Sequence, residues 1–256
     1  MPRANRHFLK SRGYIWHITH RCHKGEFLLK FKTDKSTWLS WIRRAKKTYG
    51  LRVLNYTVTS NHIHLLVIES GQPDDISRSI RLAAGQTAQS FNRRKERRGA
   101  FWQDRYQATA VDCGTHLANC MVYIDLNMVR ASVVDHPAEW PFGGYHEIQN
   151  DAAGKRIIDY DDLMEVFQFR GPADLRATFR NWADEALRSQ RIFREECWTR
   201  SVAVGSREFV ERIKKELRER GTGKKVLEGL HLCTLREPRA GYESFSGQKT
   251  RILRPK

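Results

Sequence analysis

The stretch Ser-Asn-His-Ile-His-Leu-Leu-Val-Ile-Glu-Ser, residues 60–70, sets His62 and His64 two positions apart inside an apolar run. In an extended chain residues i and i+2 project from one face, so both imidazoles would point together and Ile63 and Leu65 the other way. Two imidazoles so placed can begin a metal site. They are also what chance delivers: 10 histidines in 256 residues produce about 0.4 such pairs at random. A strand histidine pair that is merely satisfied or exposed therefore stays open as the bland reading. A second pair of reactive types comes later, in Tyr-Ile-Asp-Leu-Asn, where Tyr123 and Asn127 are four residues apart. On a helix that spacing puts them on one face, a turn from each other. If the helix packs beside strand 62–69, the Asn127 carbonyl oxygen would complete a site begun by His62 and His64. The Tyr123 hydroxyl would then reach whatever the metal polarises. A phenol with a pKa of about 10 is a poor nucleophile at neutral pH, and a Lewis acid on a phosphodiester oxygen raises the electrophilicity of the phosphorus. Alone, Tyr123 reads equally well as an aromatic at the edge of a core.

The elements that must position these residues are legible from periodicity. Residues 14–22 alternate as a half-buried strand, and 34–49 read as an amphipathic helix with Trp38, Leu39, Ile42, Ala45 and Tyr49 on one side. Thr33 or Asp34 would cap its start and Gly50 its end. Strands at 51–59 and 62–69 are joined by Ser60-Asn61, a hairpin-length connection. A long helix is expected from about Asp74 to Arg98, a fourth strand over 105–112 and a further helix over 115–131. The order β-α-β-β-α-β-α opens with the six elements of a ferredoxin-like fold: α+β, an antiparallel sheet with two crossover helices. Near residue 150 the composition shifts to Pro, Gly and polar residues, which divides the chain into 1–150 and 151–256. The second part shows helical stripes (Leu175, Phe179, Trp182, Ala186; Phe209, Ile213, Leu217) and ends in a basic arm over 236–256. It is expected to be mainly helical, either a second DNA-recognition module or a brace over the catalytic part.

Charge narrows the partner. Lys and Arg number 46 against 29 Asp and Glu, a net of +17 with a pI near 10.0, which points to a polyanion and first to nucleic acid. Residues 1–150 carry 23 basic and 12 acidic residues, so +11 of that excess lies in the part with the histidine pair. Arg93, Arg94, Lys95, Arg97 and Arg98, in Arg-Arg-Lys-Glu-Arg-Arg, read as phosphate contacts or as a solvated helix end. Arg105 follows, and Trp102 and Tyr106 close by read as base-stacking rings or, for Trp102, as core. Five cysteines, an odd number without a C-x-x-C pair, argue for a reducing compartment. No apolar run approaches a membrane span and the N-terminus lacks a signal peptide's apolar segment, so a cytoplasmic location is expected. His-Ile-Thr-His-Arg-Cys-His could suggest zinc, but on a strand His17 and His20 face opposite sides. They read as strand surface, with some of these side chains helping to line the active site or DNA path.

Asn-His-Ile-His-Leu-Leu and Tyr-Ile-Asp-Leu-Asn-Met-Val-Arg-Ala, in this order and at this separation, resemble the motifs of the HUH single-tyrosine transposases. The branch most resembled is the REP-associated tyrosine transposases, also described as insertion-sequence transposase-like, and the likeness covers roughly residues 8–147. The resemblance implies the ferredoxin-like fold already read from the element order. It also implies Mg²⁺ or Mn²⁺ held by His62, His64 and Asn127, with Tyr123 as the nucleophile. The activity implied is DNA transposition: single-stranded or hairpin DNA is cut through a 5′-phosphotyrosine intermediate and rejoined. Homodimer and monomer both remain open, as do a non-catalytic nucleic-acid-binding regulator and a nuclease that uses water. Two positions depart from the family pattern, Asp125 where His is common and Met128 where Pro is common. Asp125 lies off the Tyr123–Asn127 face and is expected to alter local charge and DNA contacts rather than the chemistry.

Overall fold

A computed structural model of the chain describes residues 13–72, 74–150, 156–190, 195–218, 225–228 and 232–236. Strand β1 (Ile15–Arg21) leads to helix α1 (Lys32–Tyr49), the hairpin β2 (Arg52–Val58) and β3 (His62–Ile68), helix α2 (Asp75–Arg94) and strand β4 (Gln107–Val111). These four strands lie in the order β2-β3-β1-β4, every neighbouring pair antiparallel. That is the ferredoxin-like arrangement the element order implies. Helix α1 is capped at Phe31 rather than at Thr33 or Asp34: the Asp34 carboxylate accepts from the Phe31 N–H, and Gly50 ends the helix in the left-handed region at φ 70°.

The two faces of this sheet differ sharply. Trp16, Ile18, Ile63, Leu65, Val67, Ala108 and Ala110 share one face by register and join Trp38, Leu39, Ile42, Ile76, Ile80 and Ala83 of α1 and α2 in the core. Each of the Val, Leu and Ile side chains among them contributes ~1.5–3 kcal/mol by leaving water. The other face is apolar at one end, with Ile15, Ile68 and Val111, and mostly polar beyond it: His17, Thr19 and Arg21 on β1, His62 and His64 on β3, Gln107 and Thr109 on β4. A bulge at Leu54, between the pairs Val53–Val67 and Asn55–Leu66, brings Asn55 and Thr57 of β2 onto this face as well. A polar sheet face survives burial only when each group finds a partner. Helix α3 (Thr115–Asp125) supplies them on one side, with Thr57 Oγ1 donating to the Ile124 carbonyl (3.1 Å) and Asn55 Nδ2 to Asp125 Oδ1 (2.9 Å).

The single helix expected over 115–131 is two: α3 ends at Asp125, and α4 (Asn127–Arg130) starts after Leu126. The i→i−4 ladder bridges the join through Leu126 N to Val122 O and Arg130 N to Leu126 O, both 2.9 Å, so Asn127 stays in helical phase with Tyr123.

After α5 (Gly144–Asn150) come α6 (Tyr160–Phe167), α7 (Pro172–Arg188), α8 (Cys197–Arg200), β5 (Ala203–Gly205), α9 (Arg207–Arg218), β6 (Lys225–Glu228) and β7 (Cys233–Arg236). The helical stripes are where periodicity puts them: Leu175, Phe179, Ala186, Phe209, Ile213 and Leu217 are buried. The strands are new. β5 pairs parallel with β4, β7 with β5, and β6 with β7, extending the sheet to seven strands in the order β2-β3-β1-β4-β5-β7-β6. Strands of three or four residues are too short to show a period. The extension thus adds to the same sheet, and its Trp198, Val202, Val204 and Leu235 lie in the same core as Tyr123. Beyond Arg236 the expected basic arm lies outside the described residues.

Candidate active site

His62 and His64 project from one face of β3, as period 2 requires, with ring centroids 4.9 Å apart. His62 presents Nδ1 to Asn61 Oδ1 at 2.7 Å, with Thr59 Oγ1 at 3.0 Å. The Asn61 amide is not free to turn, because its Nδ2 donates to the Gly25 carbonyl at 3.1 Å. Its oxygen therefore faces the ring and takes the His62 proton on Nδ1, which in the neutral imidazole leaves the lone pair on Nε2. His64 is buried and has a neighbour on each side: Nδ1 is 2.8 Å from His17 Nε2 and Nε2 is 2.9 Å from Asn127 Nδ2. The His17 ring stacks on it at 5.0 Å, and His17 Nδ1 lies 2.9 Å from the Trp198 carbonyl.

Tyr123 reaches the same patch from α3, its ring edge-on to His64 at 5.8 Å and to His17 at 6.1 Å. Three sequence-predicted residues, His62, His64 and Asn127, and the predicted nucleophile are thus brought together. Residues that sequence reasoning missed complete the surroundings. Arg130 sets its guanidinium 4.4 Å from the centre of the Tyr123 ring and donates to the Tyr123 carbonyl at 3.2 Å. Its spacing of seven from Tyr123, two helical turns, was the available signal. Trp198 of the extension lies 6.2 Å from the Tyr123 ring, and no sequence feature near it pointed to the site. Tyr123 is only 5% exposed beneath this cover.

His17 was expected at a strand surface and is instead fully buried, because the polar face it belongs to is covered by α3 and residues 197–201. Burial lowers its pKa to about 4, so the ring is neutral at pH 7. His20, on the opposite face, is also buried, donates to the Asp104 carbonyl through Nε2 at 2.7 Å and stacks on Trp102 at 4.1 Å. Burial lowers its pKa to about 4 as well. Asp125 corrects a further expectation. It points inward to Asn55 and accepts from the Tyr145 N–H, and burial raises its pKa to about 7. It has no outward charge with which to alter DNA contacts.

The residues singled out for DNA do not form one surface. Arg94 pairs with the buried Asp34, tying α2 to α1, and Arg97 bonds the Ala100 carbonyl (3.0 Å), Asn92 and, at 3.7 Å, Glu26. Arg93, Lys95, Arg98 and Arg105 are exposed. Trp102 spends its indole on His20 and its N–H on the Ala84 carbonyl (3.0 Å), the core role that the sequence left open for it. Tyr106 lies edge-on to His20 at 6.5 Å. These residues flank the start of β4, at the same end of the sheet as His62 but beside the apolar face. Phe27 and Phe31, in the loop after β1, are exposed aromatics, Phe31 with Lys30 and Lys95 over its ring, and nothing in their sequence pattern marks them.

Among the described residues no group of three or more His, Cys, Asp or Glu side chains is placed to hold a metal. The patch offers a different donor set: the Nε2 lone pair of His62, His64 Nε2 and the Asn127 amide, whose Oδ1 and Nδ2 exchange by rotation about χ2. Imidazole with neutral oxygen suits a divalent ion that keeps further positions for water or phosphate. The residues present fit that role. Among the described residues no helix is long and apolar enough to cross a membrane. All five cysteines are free thiols.

No curated protein matches the chain. A REP-associated tyrosine transposase, solved bound to a REP hairpin, is similar at 22% identity over 61% of this chain and 88% of that one, with a TM-score of 0.49. A transposase described as putative from Deinococcus radiodurans R1 is similar at 12% identity over 52% and 98%, with a TM-score of 0.34. The sequence pattern of the family described as transposase, IS200-like, matches residues 11–127. That segment, 117 of the 256 residues, holds His62, His64, Tyr123 and Asn127, so the similarity to IS200-like transposases takes in all four residues of the patch.

Proposed function

We propose that this protein is a transposase of the IS200-like kind, a metal-dependent DNA strand-transferase acting on single-stranded or hairpin DNA, with Tyr123 as nucleophile. One observation carries the reading: His62, His64, Asn127 and Tyr123, from two distant segments, converge on one patch of the polar sheet face. His62, His64 and Asn127 would hold Mg²⁺ or Mn²⁺, the asparagine after its amide turns to present Oδ1. Such an ion, when bound, supplies Lewis-acid polarisation of a phosphoryl oxygen. The Tyr123 oxygen attacks phosphorus, the bond from phosphorus to the 3′ oxygen breaks, and the departing oxygen takes up a proton as the phenol proton is released. The product is a 5′-phosphotyrosine and a free 3′-OH, and attack by a 3′-OH on that ester rejoins DNA and restores the phenol. Arg130, a cation fixed over the Tyr123 ring, is suited to offset the charge that gathers on the phosphate. Because Tyr123 is 5% exposed, a scissile phosphate reaches it only when the ring or the Trp198 cover shifts.

The chemistry is assigned to residues 1–150 and DNA positioning to exposed basic residues there and in 151–256. The test is incubation of the full chain with a labelled hairpin oligonucleotide and Mn²⁺, followed by denaturing electrophoresis. The expected result is an SDS-stable adduct lost on chelation and in Tyr123→Phe, His62→Ala and His64→Ala. Cleavage without adduct would replace the reading with a water-using nuclease, and binding without cleavage would replace it with a regulator.

A further inference from the structure

We propose that His17 is a positioning residue: it fixes the tautomer of His64, and the C-terminal extension fixes His17. The inference rests on the reading of His64 as a metal ligand and adds to it a reason for the extension to touch the catalytic motifs.

Hydrogen-bond direction can be traced along the chain of groups. The Trp198 carbonyl can only accept, so the 2.9 Å contact to His17 Nδ1 requires the proton of that ring on Nδ1. His17 Nε2 then carries a lone pair and can only accept across the 2.8 Å contact to His64. His64 must therefore donate from Nδ1, which leaves the lone pair of its Nε2 directed at Asn127, 2.9 Å away. His62 reaches the same state by a different device, donating from Nδ1 to Asn61 Oδ1. Both imidazoles thus present Nε2 to one patch, each with its other nitrogen engaged, the arrangement that orients metal-ligating histidines and raises their basicity.

The source of the anchor matters. His17 and His64 stand on adjacent strands of the four-stranded core, but the carbonyl that decides the direction belongs to residues 197–201 of the extension, α8 and the residue after it. The same segment presents the Ser201 carbonyl to Thr109 Oγ1 at 2.7 Å and the Trp198 indole to the Tyr123 ring. Without that carbonyl the His17 proton is no longer held on Nδ1. With the proton on Nε2 of His17, His64 would lose its acceptor or shift its own proton to Nε2, where a proton blocks a metal.

Two measurements on the full chain test this. The first reads the tautomer directly, by two-bond ¹H–¹⁵N correlation of the histidine side chains in wild-type protein without metal. The expected result is a protonated Nδ1 on both His17 and His64, and Nε2–H on His64 overturns the inference. The second is Mn²⁺ binding by electron paramagnetic resonance in wild type, His17→Phe, His17→Gln and His64→Ala. His17→Phe keeps the stacked ring without an acceptor and should weaken Mn²⁺ about 10- to 100-fold. His17→Gln, whose Oε1 can accept from His64, should recover most of that loss. Equal Mn²⁺ affinity in wild type and His17→Phe overturns the positioning role, as does failure of glutamine to rescue. Wild-type affinity in His64→Ala instead overturns the ligand assignment itself, so the two failures are distinguishable.

Discussion

Asp125 is a carboxyl placed where ionisation is costly, and its removal should change how stability depends on pH. The side chain is 7% exposed, and its pKa rises from 3.8 to about 7 because burial disfavours the charged form, against the hydrogen bonds from Asn55 and Tyr145. A folded-state pKa above the unfolded value means that the folded protein binds the proton more tightly. The resulting stabilisation is fully present below the unfolded pKa and is lost as pH rises through the folded one. A shift of about three units, at ~1.4 kcal/mol each, amounts to about 4 kcal/mol in all, of which about 2–3 kcal/mol falls between pH 5 and pH 8. In Asp125→Asn this component disappears, since the amide does not titrate. The assay is urea unfolding by circular dichroism at several pH values, with chelator present throughout. Any fixed cost of the amide, such as an imperfect bond to the Tyr145 N–H, shifts the mutant curve without changing its slope. Wild type should therefore lose about 2–3 kcal/mol more than Asp125→Asn across that interval. Parallel curves would refute the reasoning, because they would mean that Asp125 ionises in the folded chain as readily as in the unfolded one.

DNA binding should weaken steeply with salt, and Arg93, Lys95 and Arg98→Ala together should lower the log–log slope by about 0.7 for each single-strand phosphate they had neutralised. Binding isotherms at several salt concentrations check this, and an unchanged slope would leave the run as a solvated helix end. Arg94 and Arg97 behave differently, since Arg94 holds the buried Asp34: Arg94→Ala should lower the unfolding midpoint as well as binding. Truncation after residue 150 removes β5 from the β4 edge, the Trp198 cover and the carbonyl that holds His17. The truncated chain should melt at lower temperature and nick a generic oligonucleotide more slowly than the full chain, as read by thermal circular dichroism and gel assay. Equal stability and rate would make the extension dispensable to the chemistry.

The order of the elements and the histidine pair are legible in the sequence because the periods are long and regular. Four strands and two crossover helices, each several residues long, carry enough alternation to fix type and sequence order, and the sheet order follows from the connections. The polar face is the ambiguous part. Alternate positions in His17-Thr19-Arg21 and Asn55-Thr57 look like a strand face turned to water, which is why His17 reads as surface. Only the cover from α3 and residues 197–201 makes that face an interior, and those partners are 66 to 181 residues away along the chain for Asn55 and His17. Asp125 misleads for the same reason: its helix face is as expected, but the partner on β2 depends on a bulge at Leu54 that no pattern announces. The three late strands escape notice because β5, β6 and β7 are held by pairing to a sheet already formed, not by a period of their own.

The measurement that bears most directly on the central claim is the identity of the residue bonded to DNA. Full-length protein is incubated with Mn²⁺ and a hairpin oligonucleotide, the adduct is digested with protease and nuclease, and the modified peptide is sequenced by mass spectrometry. The account predicts one phosphorylated tyrosine, Tyr123, bonded to the 5′ end of the cleaved strand, and no adduct from Tyr123→Phe although that protein still binds the oligonucleotide. An adduct on another residue, or cleavage at the wild-type rate by Tyr123→Phe, would contradict it.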